Sequence, residues 1–131
     1  MIVKRSASGY AETVGLLVEA IARRGLTLFA RIDHAAGARE VGMDLADEEV
    51  LLFGNARSGT PLMQSDPRAG IDLPLRMLVW RDGEDVLLGF RDPRELSDSY
   101  EIGGQQPILG RMAALLGELA SEAASPASSL K

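Results

Sequence analysis

The chain has no cysteine in its 131 residues, only one histidine and few aromatic side chains. Without cysteine it can form no disulfide bond, thiolate metal site or cysteine nucleophile, and it fits a reducing compartment. Because a single histidine stands without any cysteine, we expect no zinc site and no other metal site. Aromatic residues make up 5% of the chain, which is too few for a platform on which nucleic-acid bases stack.

Long apolar runs and an excess of positive charge are missing as well. No run approaches the roughly 18 apolar residues of a membrane span. No signal-peptide core follows Lys4 and Arg5 near the start of the chain. We therefore predict a cytoplasmic protein without a membrane partner. The formal net charge is -5, so the surface as a whole repels nucleic acid and we expect no nucleic-acid partner.

The length and composition are those of one globular domain. Hydrophobic residues form 46% of the chain and charged residues 25%, which is ordinary for such a domain. A chain of this size buries enough surface to fold without disulfide bonds or a structural metal. We assign residues 1–122 to a single α+β domain. The small and polar residues 123–131 predict a flexible C-terminal tail.

Hydrophobic spacing predicts two long helices, one near each end of the chain. Residues 10–24 carry apolar side chains at i, i+3, i+4 and i+7, and Gly25 follows as a stop signal. The second long helix begins at Pro107, which suits the first helical position. Its apolar stripe comprises Ile108, Met112, Leu115 and Leu119. A shorter helix over residues 34–41 is predicted by Asp33 as its N-cap and by the glycine after its end.

Alternating or continuous apolar residues predict five strands. They are expected at residues 2–7, 26–32, 49–53, 75–81 and 84–91. The alternation in the second strand places Leu28, Ala30 and Ile32 on one face. Asp82-Gly83, between the last two strands, is the pair that a two-residue type I′ turn prefers. The order β-α-β-(short α)-β-β-β-α predicts an α+β two-layer sandwich, in which helices cover one face of an antiparallel-rich sheet.

Several separate blocks of sequence agree in order and spacing with a known family. The blocks are Ile32-Asp33-His34-Ala35-Ala36, Phe53-Gly54-Asn55, Gly59-Thr60-Pro61-Leu62-Met63 and Asp72-Leu73-Pro74-Leu75. Through these blocks, residues 1–120 resemble the family called domain of unknown function 302. The resemblance implies a β-α-β(4)-α fold similar to the TATA-binding-protein-like class, and it implies a homodimer. It implies no activity, because a shared fold with a DNA-binding protein does not carry function across.

The polar stretch at residues 54–66, after the third strand, is the main candidate for a binding site. Its two glycines are spaced as in a phosphate-binding loop, but the lysine of that motif is missing and Pro61 removes a backbone amide. We therefore expect no nucleotide loop. Arg57 and the backbone amides near Gly59 could still bind a small anion. Alternatively, both glycines serve turn geometry, and Thr60 caps a helical turn that Pro61 starts.

Polar side chains from this stretch and from two other segments form a candidate ligand-binding set. The candidates are His34, Arg39, Asn55, Arg57, Thr60, Gln64, Asp66 and Tyr100. Groups of this kind orient a small ligand in a mostly apolar pocket. The alternative is that they satisfy backbone donors and acceptors in their own loops.

Three functions are compatible with these residues. The first is a homodimeric module that binds a small molecule or effector through the polar stretch. The second is a structural or protein-interaction module without a small ligand. The third is a small hydrolase or isomerase in which His34, the one side chain that titrates near neutral pH without tuning, acts with Asp33 or Asp66. We favour a non-enzymatic module, and the sequence identifies no catalytic residue and no cofactor.

Overall fold

The computed structural model describes residues 1–126 and has an α+β fold. Five antiparallel strands form one sheet in the order β1-β5-β4-β3-β2. The strands are β1 (Ile2–Arg5), β2 (Thr27–Asp33), β3 (Glu48–Gly54), β4 (Leu75–Asp82) and β5 (Asp85–Phe90). The predicted α+β sandwich with an antiparallel sheet is confirmed.

Two long helices, α1 and α5, pack against each other and against one face of the sheet. The α-helices of the described chain are α1 (Tyr10–Arg23), α2 (His34–Glu40), α3 (Ala56–Ser65), α4 (Leu96–Ser99) and α5 (Gln106–Ala124). Short 3-10 helices lie at Pro67–Asp72, Pro93–Glu95 and Gly103–Gln105. None of the helices in residues 1–126 has the length and apolar character needed to cross a membrane.

Helix α5 extends further than the sequence predicted. Ala123 and Ala124 belong to the helix and are buried, although the sequence predicts both to lie in the flexible tail. The Ala124 carbonyl accepts a 2.8 Å hydrogen bond from the Ala7 N–H, which holds the end of the helix beside the chain that follows β1. Residues 127–131 of the predicted tail lie outside the described residues.

The main core lies between the sheet and the helices α1 and α5. Leu51 of β3 pairs with Met77 of β4, and both side chains have no exposed surface. Other large buried side chains of this core are Leu17, Ile21, Phe53, Val79, Leu88, Leu116 and Leu119. Each such side chain contributes roughly 1.5–3 kcal/mol on leaving water, so this layer is the principal source of stability.

A second, smaller apolar cluster holds α3 against the start of α5. Leu62 of α3 is fully buried with Leu109 and Met112 of α5 and with Ile102 from the preceding loop. Leu73 and Leu75 are partly buried against the same cluster. This cluster fixes the position of α3, and the candidate site lies beside it.

The stop of α1 follows the prediction from sequence. Gly25 has φ 67°, in the left-handed region that glycine adopts without penalty. Its N–H donates to the Ala22 carbonyl at 3.0 Å, and the Leu26 N–H donates to the Ile21 carbonyl at 3.2 Å. These two bonds form a Schellman motif, which satisfies carbonyls at the end of the helix.

The turn between β4 and β5 lies one residue later than predicted. Asp82 pairs with Asp85, so the two turn residues are Gly83 and Glu84. Gly83 has φ 62°, and no described residue other than glycine has a positive φ. Glycine at the first central position is the pattern of a type II′ turn, so the predicted type I′ turn at Asp82-Gly83 is wrong.

A β-bulge changes the faces of β2. Leu28 pairs with Phe53 and Ala30 pairs with Leu52, so Phe29 is an extra residue between them. Paired residues share a face of the sheet, and Phe53 and Leu52 are on opposite faces. Leu28 and Ala30 therefore lie on opposite faces too, and the prediction that they share one face is wrong.

Candidate functional site

The polar stretch after β3 is mainly a helix. Helix α3 spans ten residues, Ala56–Ser65. The Asn55 side-chain oxygen accepts a 2.8 Å hydrogen bond from the Arg57 N–H, which is the bond of an N-cap. Pro61 lies inside the helix, so the predicted helical turn that starts at Pro61 with Thr60 as its cap is wrong. The cap signal lies five residues earlier, at a residue that the sequence marked as a ligand candidate.

A cavity of about 490 Å³ lies beside α3. Its walls come from α3, from the residue before β2 and the bulge within β2, from the end of β3, from the 3-10 segment and the start of β4 that follow α3, and from α5. The lining residues are Leu26, Phe29, Gly54, Asn55, Ala56, Ser58, Gly59, Thr60, Met63, Gly70, Leu73, Pro74, Leu75, Arg111, Met112 and Leu115. The volume lies in the range of small-molecule sites, and the mostly apolar lining is typical of them.

The bulge in β2 gives Phe29 its position in this cavity. Phe29 is 57% exposed, which is high for a phenylalanine in a strand. Its Cε2 atom lies 4.0 Å from the point where a Cβ would stand on Gly54. Bulges commonly re-aim a side chain next to a functional site. Here the bulge presents an aromatic ring to the cavity beside the N-terminus of α3.

Few polar side chains line the cavity. Asn55, Ser58 and Thr60 come from the cap and the first half of α3, and Arg111 comes from α5. Arg111 is exposed, and its side chain has no hydrogen bond or ion pair within residues 1–126. The apolar stripe is the dominant sequence signal of α5, and Arg111 is not among the candidate residues that the sequence predicts. The sequence did carry a signal for Arg111. It directly precedes Met112 and lies four residues before Leu115, so on a helix it lies close to the apolar stripe.

Asp66 has a structural role next to the cavity. Its side chain is buried and accepts hydrogen bonds from Arg68 Nε at 3.0 Å and Nη2 at 2.8 Å. It also accepts from the Arg68 N–H at 3.1 Å and the Glu101 N–H at 3.0 Å. The Arg68 guanidinium and the Glu101 N–H hold the pKa of Asp66 well below its usual range. Asp66 thus caps the 3-10 helix Pro67–Asp72 and anchors the loop that leads to α5.

Tyr100 and Gln64 also lie away from the cavity lining. The Tyr100 hydroxyl donates a hydrogen bond to the Asp72 carboxylate. That bond raises the pKa of Tyr100 above its ordinary value. Gln64 is exposed on α3. The polar contact of Tyr100 therefore serves the packing of loops rather than the cavity.

Three further candidates are exposed and lie outside the cavity. His34 is the first residue of α2, Arg39 is in the last turn of α2, and Arg57 is in the first turn of α3. Of the eight candidates, Asn55 and Thr60 line the cavity. His34 is exposed, and within residues 1–126 its side chain has no hydrogen bond to Asp66 or to Asp33; the Asp33 side chain instead accepts from the Ala36 N–H as the N-cap of α2. Residues 1–126 contain no group of three or more acidic or histidine side chains that could hold a metal ion.

Comparison with known proteins identifies the family. The family model described as Domain of unknown function DUF302 matches residues 2–119. The chain belongs to the DUF302 family. A crystal structure of an uncharacterized conserved DUF302 protein from Bacillus stearothermophilus has the same fold, with a TM-score of 0.84 over 93% of this chain and 96% of that chain. Its sequence identity is 16%, so this likeness shows the fold alone.

Relatives of this DUF302 domain also occur as parts of longer proteins. The chain is 38% identical over 104 residues to proteins named Fluoride-specific ion channel FluC 1 from Brucella suis and FluC 2 from Brucella melitensis. The match covers 79% of this chain but 41% and 38% of those two proteins. The chain therefore spans about two fifths of the length of these curated relatives.

Proposed function

We propose that this DUF302 domain binds a small, largely apolar molecule in the cavity between α3 and α5. The observation that carries the proposal is the cavity of about 490 Å³ with mostly apolar walls. An apolar ligand gains roughly 25 cal/mol for each Å² of apolar surface removed from water. The exposed ring of Phe29 at the cavity adds apolar surface that a ligand would cover.

A few polar groups would orient the ligand. Ser58 and Thr60 offer hydroxyls, and Asn55 offers an amide whose oxygen already accepts the cap hydrogen bond. The Asn55 amide nitrogen is the part of that side chain left for a ligand. A small number of such groups within apolar walls is the usual design of a ligand site.

The longer relatives support a modular role. In the Brucella proteins a domain similar to this one makes up less than half of the protein, as a ligand-binding module attached to a larger protein would. The fluoride in their names is not the ligand proposed for this cavity. A single water occupies about 30 Å³ of liquid volume, and an ion of similar size would need a tight polar cradle rather than a large apolar space.

A glycine in the cavity wall supplies the test. A Cβ on Gly59 would lie 3.8 Å from Leu73 Cδ1 and 4.0 Å from Met63 Cε, which is ordinary contact. Both of those side chains line the cavity, so Gly59→Leu fills it without a backbone clash. Leucine also favours a helix more than glycine does. Gly15→Leu is the matched control, because Gly15 lies in α1 with nothing within 4 Å of its added Cβ.

The experiment is a thermal-shift screen of metabolite classes against the wild-type protein and both variants. We expect at least one class to raise the Tm of the wild type and of Gly15→Leu. The same compounds should leave the Tm of Gly59→Leu unchanged. An equal shift in Gly59→Leu, or no shift with any class, would contradict the proposal.

The uncovered face of the sheet favours a second role, as a contact between two copies of the chain. The core lies on one face, and strand register puts a different apolar set on the other. That set is Val3, Ile32, Val50, Leu52, Leu78, Trp80 and Leu87. Val3 is 49% exposed and Ile32 is 45% exposed. We propose that this open sheet face is the contact of a homodimer, since contiguous apolar surface of this kind marks protein interfaces.

A further inference from the structure

The charge of the cavity differs from that of the protein as a whole. The chain carries a formal net charge of -5, yet no carboxylate stands among the described residues that line the cavity. Arg111 is the one charged side chain in that lining. In an otherwise acidic protein, this arrangement disfavours a cationic ligand and favours an anionic one.

Arg111 also differs from Arg24, whose side chain forms ion pairs with helix α5. Arg24 of the α1 end reaches Glu118 at 3.1 Å and Glu122 at 2.8 Å, both on α5. Arg111 stands on the same helix α5, without an anionic partner in the described part of the chain. Its guanidinium therefore keeps all its donors available for a carboxylate, which it can bind in a bidentate manner.

The start of α3 adds a weaker effect of the same sign. Asn55, Ala56 and Ser58 line the cavity, so the N-terminal turn of a ten-residue helix borders it. That end of a helix carries partial positive charge. The helix end supports the argument, and the cavity together with Arg111 carries it.

We propose that the ligand is an anionic amphiphile, with an apolar body in the cavity and a carboxylate bound by Arg111. The inference rests on the proposed function, because it assigns a ligand class to the same cavity. It differs from the anion site suggested by the sequence, which used Arg57. Arg57 stands at the start of α3 but lies outside the cavity lining.

The test compares probes that share an apolar body and differ in the head group. Suitable pairs are decanoate with decanol, and naphthoate with naphthalenemethanol. Binding is measured by calorimetry for the wild type, Arg111→Met, Arg57→Met and Gly59→Leu. Arg57→Met is the matched control, since it removes one positive charge from an exposed helical arginine outside the cavity.

We expect the wild type and Arg57→Met to bind the carboxylate of a pair about fivefold to tenfold more tightly than the alcohol. Arg111→Met should lose most of this preference for the carboxylate while it binds the alcohol as the wild type does, and Gly59→Leu should bind neither probe. Added salt should weaken carboxylate binding to the wild type while leaving alcohol binding unchanged.

The contrary results separate the two proposals. Equal affinity for acid and alcohol, with no change in Arg111→Met, overturns the ligand class while the cavity function stands. If Arg111→Met weakens binding of the acid and of the alcohol to the same extent, the ligand class is also overturned, because Arg111 would then act through packing rather than through its charge. No binding of any pair, or undiminished binding to Gly59→Leu, overturns both proposals.

Discussion

Asp66 shows how one side chain can resemble a ligand-binding group while holding loops together. It was a site candidate, but its oxygens accept from Arg68 and from the Glu101 N–H. These bonds hold its pKa well below the usual range in the folded state. A carboxyl whose folded pKa lies below the unfolded value of about 3.9 stabilises the fold above that pH. The contribution is lost as the pH falls from that value through the folded pKa.

We therefore predict that Asp66→Asn lowers the Tm by an amount that depends on pH. The gap between wild type and variant should be widest at pH 5–7. It should narrow as the pH falls below about 4, because protonation then removes the charge from the wild type as well. Thermal unfolding followed by circular dichroism over this range measures the gap. A gap of constant size would show that hydrogen-bond geometry, rather than charge, is what the asparagine loses.

Tyr10 offers the opposite case, a polar atom without a partner. Its hydroxyl is buried and accepts or donates no hydrogen bond within the described residues. Burial, followed by the charge of Glu49, raises the pKa of Tyr10, so the hydroxyl stays neutral. An unpaired buried hydroxyl loses its hydration without a protein bond in exchange.

Replacement of Tyr10 by phenylalanine should therefore leave stability unchanged or raise it by up to about 1 kcal/mol. Urea unfolding measures the change in the free energy of unfolding. Tyr100→Phe is the matched comparison, because the Tyr100 hydroxyl donates to Asp72, and this variant should be less stable than wild type. A destabilised Tyr10→Phe would show that the hydroxyl has a partner in solution.

Among the elements, α3 depends most visibly on a single residue. Asn55 accepts from the Arg57 N–H, and loss of such an N-cap costs about 1 kcal/mol. We predict that Asn55→Ala lowers the free energy of unfolding by about that amount. Asn55→Asp should match the wild type, because aspartate caps equally well and favours the positive helix end. Chemical denaturation of the three proteins checks this, and equal stability of Asn55→Ala would contradict the cap.

Elements whose signals are local were predicted best. The periodicity of α1 and its stop at Gly25 depend on residues within one or two helical turns, and both agree with the structure. The bulge at Phe29 could not be predicted, because it is defined by pairing with β3. Alternation along β2 alone favours a regular strand. The sequence predicts a single helical turn where α3 has ten residues, because Pro61 argues against a longer helix locally. Burial of Leu62 in the second cluster stabilises the helix, and that contact is not visible in the sequence.

For the whole molecule, the open sheet face makes the homodimer testable. Leu78 lies near the centre of that face, between Val50 and Gly89 in the strand register. We predict that Leu78→Lys converts a dimer to a monomer, because a buried unpaired charge opposes association. Ile71→Lys is the control, since Ile71 is 78% exposed and lies outside the sheet. Analytical ultracentrifugation measures the mass, and circular dichroism confirms that both variants are folded.

A monomeric wild type, or a Leu78→Lys variant that remains dimeric, would contradict this contact. A dimer that both lysine variants disrupt would place the contact outside the sheet face.

Location in the cytoplasm and the lack of a nucleic-acid partner stay predictions from composition and charge.

By itself, the sequence determined the α+β class, the two long helices, the five strands and the family, because these follow from short-range periodicity, turn residues and the order and spacing of the sequence blocks typical of the family. Only the tertiary structure decided the site. The cavity joins Phe29, Gly59 and Arg111, which are far apart along the chain and come together through the pairing of β2 with β3 and the packing of α3 on α5. Spacing in sequence carries no record of such approaches, so it does not single out Arg111, and it predicts Asp66 and His34 in a site that they do not line.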